Sequence, residues 1–167
     1  MRWLYRGTER LMAMDEATWA RHANPLSVYT RIPILPLLVL ALWSRVWLGW
    51  AALFPIGLVV VWIWANPRFF PPPLDLDTWA SRGVLGERVF LNRRDEIPPH
   101  HRIWADGLSL ASVPGAVLLV IGVIWLNLSL SVFGTILTMV PKIWFVDRMN
   151  WIYADWLATH KKELGDV

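Results

Sequence analysis

The 167-residue chain contains no cysteine. That removes disulfides, iron–sulfur clusters, c-type haem attachment and a thiol nucleophile together. Charge is scarce as well: Asp, Glu, Lys and Arg make up 17% of the residues, where soluble domains carry roughly 25%. The charge that exists avoids the apolar stretches. No His, Asp or Glu occurs in 32–64 or in 108–146, which argues against an intramembrane haem or pigment ligand and against a carboxylate-lined proton or cation path. A phosphate-cradling loop is missing too, because Gly83 and Gly86 have the wrong spacing and no Lys-Ser/Thr follows them. At the N-terminus, no uninterrupted apolar stretch follows Arg2, Arg6 and Arg10 before Ile32, so these residues do not read as a cleavable signal. Met14, just ahead of Asp15-Glu16, reads as an alternative start.

What is present is apolar mass. Hydrophobic residues reach 56%, more than one soluble core of this size can hide. The 13 Trp residues point the same way, since an indole is apolar with one N–H to keep wet and suits the two faces of a bilayer. A spanning helix needs about 20 mainly apolar residues. Four stretches qualify: Ile32 to Leu48, Gly49 to Trp64, Leu108 to Leu126, and Leu128 to Val146. The first two meet at Leu48-Gly49-Trp50 and the last two at Leu126-Asn127-Leu128-Ser129, so each pair is expected to form a helical hairpin. Pro33 and Pro36 sit in an opening turn where a missing N–H costs little, whereas Pro55, Pro114 and Pro141 are expected to kink their helices. The expected fold is an all-α membrane protein of four transmembrane helices in two hairpins, with short interfacial helices on the cytoplasmic side.

Orientation is read from Lys and Arg. Five precede Ile32, six fall between Ala65 and Gly107, and four lie from Lys142 onward; only Arg45 belongs to a hairpin turn. The positive-inside rule then places both termini and the central loop in the cytoplasm. Trp43, Trp47, Trp50 and Trp125 would form the outer aromatic belt, and Trp62, Trp64, Trp104, Trp144 and Trp151 the inner one. The domain plan is a cytoplasmic segment with an interfacial helix (1–31), a first hairpin (32–64), a basic cytoplasmic loop with a short interfacial helix (65–107), a second hairpin (108–146) and a cytoplasmic helical extension (147–167). Small residues predict close packing between the last two spans. Gly107, Ala111, Gly115 and Gly122 share one face, opposite Ser131, Gly134, Thr135 and Thr138.

Polar chemistry gathers on the cytoplasmic side. Asn-Pro at 24–25 and again at 66–67 reads as punctuation that ends or turns a helix. Asp75 or Asp77 would cap a helix running to Leu91, weakened by Gly83 and Gly86. In the C-terminal stretch Trp144, Arg148, Trp151 and Asp155 share a helical face, so Arg148 could stack on the rings and pair with the carboxylate. Arg31, Arg82 and Arg148, with Trp144 and Trp151, form the candidate site for an anionic headgroup or carboxylate ligand. For catalysis the candidates are His22 as general base with Glu87 or Asp147 as the second acid–base group. No metal site or cofactor is expected, because the adjacent His100 and His101 offer poor geometry for two ligands of one ion.

Four phrases carry a resemblance: WARHANPLSVYTR at Trp19–Arg31, NPRFFPPP at Asn66–Pro73, WASRGVLGER at Trp79–Arg88 and KIWFVDRMNW at Lys142–Trp151. Together they resemble an uncharacterised family of small prokaryotic membrane proteins, a domain of unknown function, over roughly Met14 to Trp156. The resemblance implies a helical protein of a prokaryotic inner membrane, and it brings no activity or site. The leading expectation is a non-catalytic accessory or scaffold component. Its basic, Trp-rich cytoplasmic face would bind anionic lipid, a larger membrane complex or a second copy of itself, and no nucleic acid. The alternatives are a membrane-embedded enzyme acting on a lipidic substrate at the cytoplasmic interface, and an oligomeric transporter or channel.

Overall fold

A computed structural model describes residues 15–164, with side chains through His160. The N-terminal arginines and the alternative start at Met14 lie outside the described residues. Among those described there is no strand, and the chain is a succession of helices. Two short helices, α1 (Glu16–His22) and α2 (Pro25–Arg31), lead into α3 (Ile34–Trp43) and a single turn, α4 (Arg45–Leu48). A 3-10 turn at Gly49–Ala52 joins these to α5 (Leu53–Phe69). Then come α6 (Trp79–Asn92), α7 (Pro99–Ile124) and α8 (Leu128–Leu164).

Three helical stretches among the described residues are long and apolar enough to cross a membrane, not the four expected: Pro25–Phe69, Pro99–Ile124 and Leu128–His160. The difference lies in the first. Helical conformation continues almost unbroken through the predicted first and second spans, and the left-handed backbone position within them is Gly49 at φ 54°, a conformation glycine adopts without steric cost. Helices α3 and α5 on either side of this turn touch each other. Only 6% of the most apolar window of this stretch is buried, so its side chains need a lipid-like surrounding.

The proline expectations divide. Helix α5 starts at Leu53, so Pro55 falls in its first turn where no intrahelical bond is lost. Pro114 and Pro141 lie inside α7 and α8, and both helices continue through them. The two Asn-Pro dipeptides also part company. Asn24 caps α2, accepting a hydrogen bond from the Leu26 N–H with Pro25 in the first turn. Asn66-Pro67, expected to stop a helix, instead lies within α5 and is fully buried.

Among the described residues the most extensive helix pairing is α7 against α8, and it is made in part through small residues. A Cβ at Gly115 would come within 2.5 Å of the Thr138 backbone nitrogen, and one at Gly122 within 2.5 Å of that of Ser131. Gly134 faces the Leu119 backbone in the same way. Gly107 and Ala111 are exposed and take no part in that face, because helix drift over two turns carries them off it. At the Gly49 end, Arg45 donates to the Val123 and Ile124 carbonyls, satisfying acceptors left over at the C-terminus of α7.

Helix α6 corrects two further expectations. Its cap is Thr78, whose hydroxyl accepts from the Ser81 N–H at 3.1 Å, while Asp75 closes a turn on the Asp77 N–H. Gly83 and Gly86 lie inside the helix without breaking it. They let it sit against α8, where a Cβ at Gly86 would overlap the Met149 carbonyl. The face bearing Ala80, Val84, Val89 and Phe90 is buried, and Phe90 meets Phe145 edge-on at 5.9 Å. This helix is therefore packed on protein along one side.

Candidate functional site

Where α1, α2, α6 and α8 meet, a cavity of about 300 Å³ is lined by His22, Val28, Arg31, Ile32, Leu35, Trp79, Val84, Glu87, Thr138, Met139, Lys142, Ile143, Phe145 and Val146. Its wall is mainly apolar, with two cations, Arg31 and Lys142, set against one carboxylate, Glu87. Three residues singled out in the sequence, His22, Arg31 and Glu87, are thus brought together from 65 positions of chain.

The hydrogen bonds behind this cavity can be given a direction. A guanidinium can only donate, so Arg31, 3.0 Å from His22 Nε2, makes that nitrogen an acceptor. The imidazole proton therefore sits on Nδ1 and is donated to Ser27 Oγ at 3.1 Å. Ser27 passes its own proton to Asn66 Oδ1 at 2.9 Å. The Asn66 amide then donates to Thr30 Oγ1, and Thr30 to the Leu26 carbonyl. His22, Ser27 and Asn66 are all buried. Burial first, and the neighbouring Arg31 charge second, push the His22 pKa down to about 3. The ring is neutral and both its nitrogens are engaged, which leaves it poorly suited to act as a general base near neutral pH.

Other predicted site residues lie elsewhere or play different parts. Asp147 accepts from the Trp79 indole N–H at 3.0 Å and so fixes one wall of the cavity; Tyr29 stacks on the same indole at 6.4 Å. Arg82 is exposed and paired with Asp77. Arg148 lies over the Trp104 ring of α7 at 5.4 Å, with Trp144 5.8 Å from that ring. Trp151 is exposed. Asp155, expected beside Arg148, pairs with His101 at 2.8 Å instead. Arg31, Arg82 and Arg148 are therefore three separate features.

Sequence reading overlooked Asn66, Ser27 and Lys142 as site residues. For Asn66 the signal was there and was spent on a turn: an amide inside an otherwise apolar helical run needs buried partners. For Lys142 the signal is its spacing of four from Val146, which puts it on the face that meets α6.

A second polar cluster forms where the start of α7 meets the far half of α8. His100, His101 and Asp155 have one ligand-capable atom each within 4.8 Å of one another. Nearby, the Trp156 indole N–H donates to Glu96 at 3.1 Å and holds that carboxyl below the usual range, with Arg93 adding to the effect.

A family model described as a family of unknown function, DUF6653, matches residues 8–165. No curated protein and no solved structure matches the chain.

Proposed function

The chain belongs to the DUF6653 family of unknown function, and from that premise we propose that it is a non-catalytic membrane component that holds an anionic amphiphile in the α1–α2–α6–α8 cavity. The observation that carries this reading is the lining itself. Two cations face one carboxylate among apolar walls supplied by Ile32, Leu35, Met139 and Ile143. A headgroup phosphate or carboxylate satisfies the cations, and an acyl chain covers the apolar side. Arg31 spends one N–H on His22, and a guanidinium has five.

The membrane arrangement proposed with it keeps the Gly49 turn and the Leu126–Leu128 turn on one side and both termini on the cytoplasmic side of a prokaryotic inner membrane. Support comes from fifteen of sixteen Lys and Arg residues lying away from those turns. Helices α3 and α5 then pair as one hairpin and α7 and α8 as another. Because the chain has no native cysteine, single cysteines at Trp50 and Ala158 report sidedness directly. Labelling of Trp50→Cys, but not Ala158→Cys, by an impermeant maleimide on intact cells is expected; the reverse pattern would overturn the orientation.

The ligand reading is tested by native mass spectrometry from nanodiscs holding equal anionic and zwitterionic lipid. Anionic lipid is expected to be retained, and Lys142→Gln to reduce that retention about fivefold, the worth of about 1 kcal/mol for one basic group near the surface. Equal retention of both lipids, or no effect of Lys142→Gln, would remove the proposal. The enzymatic alternative has His22 and Glu87 in one cavity in its favour, and the engaged, weakly basic imidazole against it.

A further inference from the structure

We propose that His100, His101 and Asp155 form a binding site for a first-row divalent transition-metal ion of the zinc type. The sequence argued against it, because adjacent histidines offer poor geometry for two ligands of one ion; in the fold the two ring centroids nevertheless lie 4.2 Å apart. Folding supplies the missing member: Asp155, 54 residues further on, comes from α8 and lies 2.8 Å from His101 Nε2. All three residues then offer donor atoms within 4.8 Å of one another. Two imidazoles and one carboxylate are a donor set that zinc-type ions accept with a position left for water. Donors bound at about 2.0–2.2 Å to one ion lie within roughly 4 Å of each other, so little adjustment is needed. His100 and Asp155 are exposed and free to make it, while His101 is the fixed member at 3% exposure.

An independent observation points the same way. His101 is buried, yet its Nδ1 has no hydrogen-bond partner, and its one bond is to a carboxylate that is about half exposed. Buried side-chain polar atoms normally have at least one hydrogen-bond partner. A buried imidazole whose one hydrogen bond runs to an exposed carboxylate keeps bonding capacity that an ion can use. An ion held here would tie the first turn of α7 to the distal half of α8.

The test uses the full-length, tag-free protein in nanodiscs, stripped of metal and titrated with zinc alone by calorimetry, with melting temperature followed in parallel. Binding of one zinc per chain and a zinc-dependent rise in melting temperature are expected. Asp155→Asn and His100→Gln should each weaken the affinity at least about tenfold and abolish the rise. His160→Gln, nearby but engaged through Nδ1 with the Trp156 carbonyl, should change neither. The site is refuted if the wild-type chain takes up no zinc, if stoichiometric binding survives both ligand substitutions, or if His160→Gln weakens it as much as they do. Neither result depends on the lipid cavity, which contains none of these residues.

Discussion

His22 and His101 are both buried, at 5% and 3% exposure, but their surroundings differ in kind. His22 has a partner on each nitrogen, and the chain of bonds continues through Ser27, Asn66 and Thr30 to a backbone carbonyl. His101 has one partner, and that partner faces solvent. The contrast separates two uses of a buried imidazole. The first locks three helices together as a neutral strut. The second keeps bonding capacity in reserve, and reserve capacity is what a ligand can use.

The same substitution at both positions gives the largest expected difference. His22→Phe leaves the buried Arg31 N–H without its acceptor and strips the Ser27 hydroxyl of its donor, leaving it only the bond to Asn66, and is expected to cost about 3 kcal/mol of stability or more. His101→Phe in metal-free buffer removes an unsatisfied atom and keeps a ring in place, and should stay within about 1 kcal/mol. Thermal unfolding in one detergent, read by loss of near-ultraviolet circular dichroism, compares the two. Equal losses would mean that the bonding difference has no energetic consequence.

Gly86→Leu breaks one side of the comparison only. The added side chain meets the Met149 backbone and forces α6 off α8, at an expected cost of about 1–3 kcal/mol. Trp79, Val84 and Glu87 line the proposed ligand cavity from α6, so anionic-lipid retention should fall. His100, His101 and Asp155 belong to α7 and α8, and zinc affinity should hold. Loss of both activities together would show that the two sites are not separable.

How far this was legible beforehand depended on the scale of the signal. Apolar runs of about 20 residues and a one-sided distribution of Lys and Arg are local properties of a string, and they announced an apolar helical protein. The family resemblance placed at Met14–Trp156 widened to residues 8–165. Local signals failed where one dipeptide has two outcomes. Asn24-Pro25 caps a helix, while Asn66-Pro67 runs through one, because Ser27 and Thr30 wait across the packed interface to receive the amide. Gly83 and Gly86 read as helix weakeners for the same reason, since a close neighbour is invisible in the string. The candidate trio His22, Arg31 and Glu87 was named from residue chemistry, and only packing could show that it shares a cavity while Arg82 and Arg148 do not.

Acid sharpens the comparison next. The folded His22 pKa is about 3 against an ordinary 6.5, so between those values the unfolded chain binds the extra proton and stability rises with pH. The contribution is complete above about 6.5 and is lost as pH falls through that window, at about 1.4 kcal/mol per unit. Arg31, Glu87 and Lys142 line the same cavity and are the charged groups that face the ring. Unfolding measured from pH 6.5 down to 4.5 should show this slope in the wild type, and a flatter one in His22→Gln. Parallel slopes would assign the acid sensitivity to other groups.

The smallest expected effect sharpens the comparison from the other side. Asp155→Asn keeps the shape of the side chain and a hydrogen-bond acceptor, and it weakens only a contact whose carboxylate is about half exposed. Such pairs contribute roughly 0–1 kcal/mol, so in metal-free buffer the melting temperature should barely move. The same substitution is expected to cost at least about tenfold in zinc affinity. A residue whose loss is almost silent for the fold and severe for the ion is held for binding. If Asp155→Asn instead destabilised the metal-free protein by as much as His22→Phe, the pair with His101 would be a second strut, and the distinction between the two histidines would disappear.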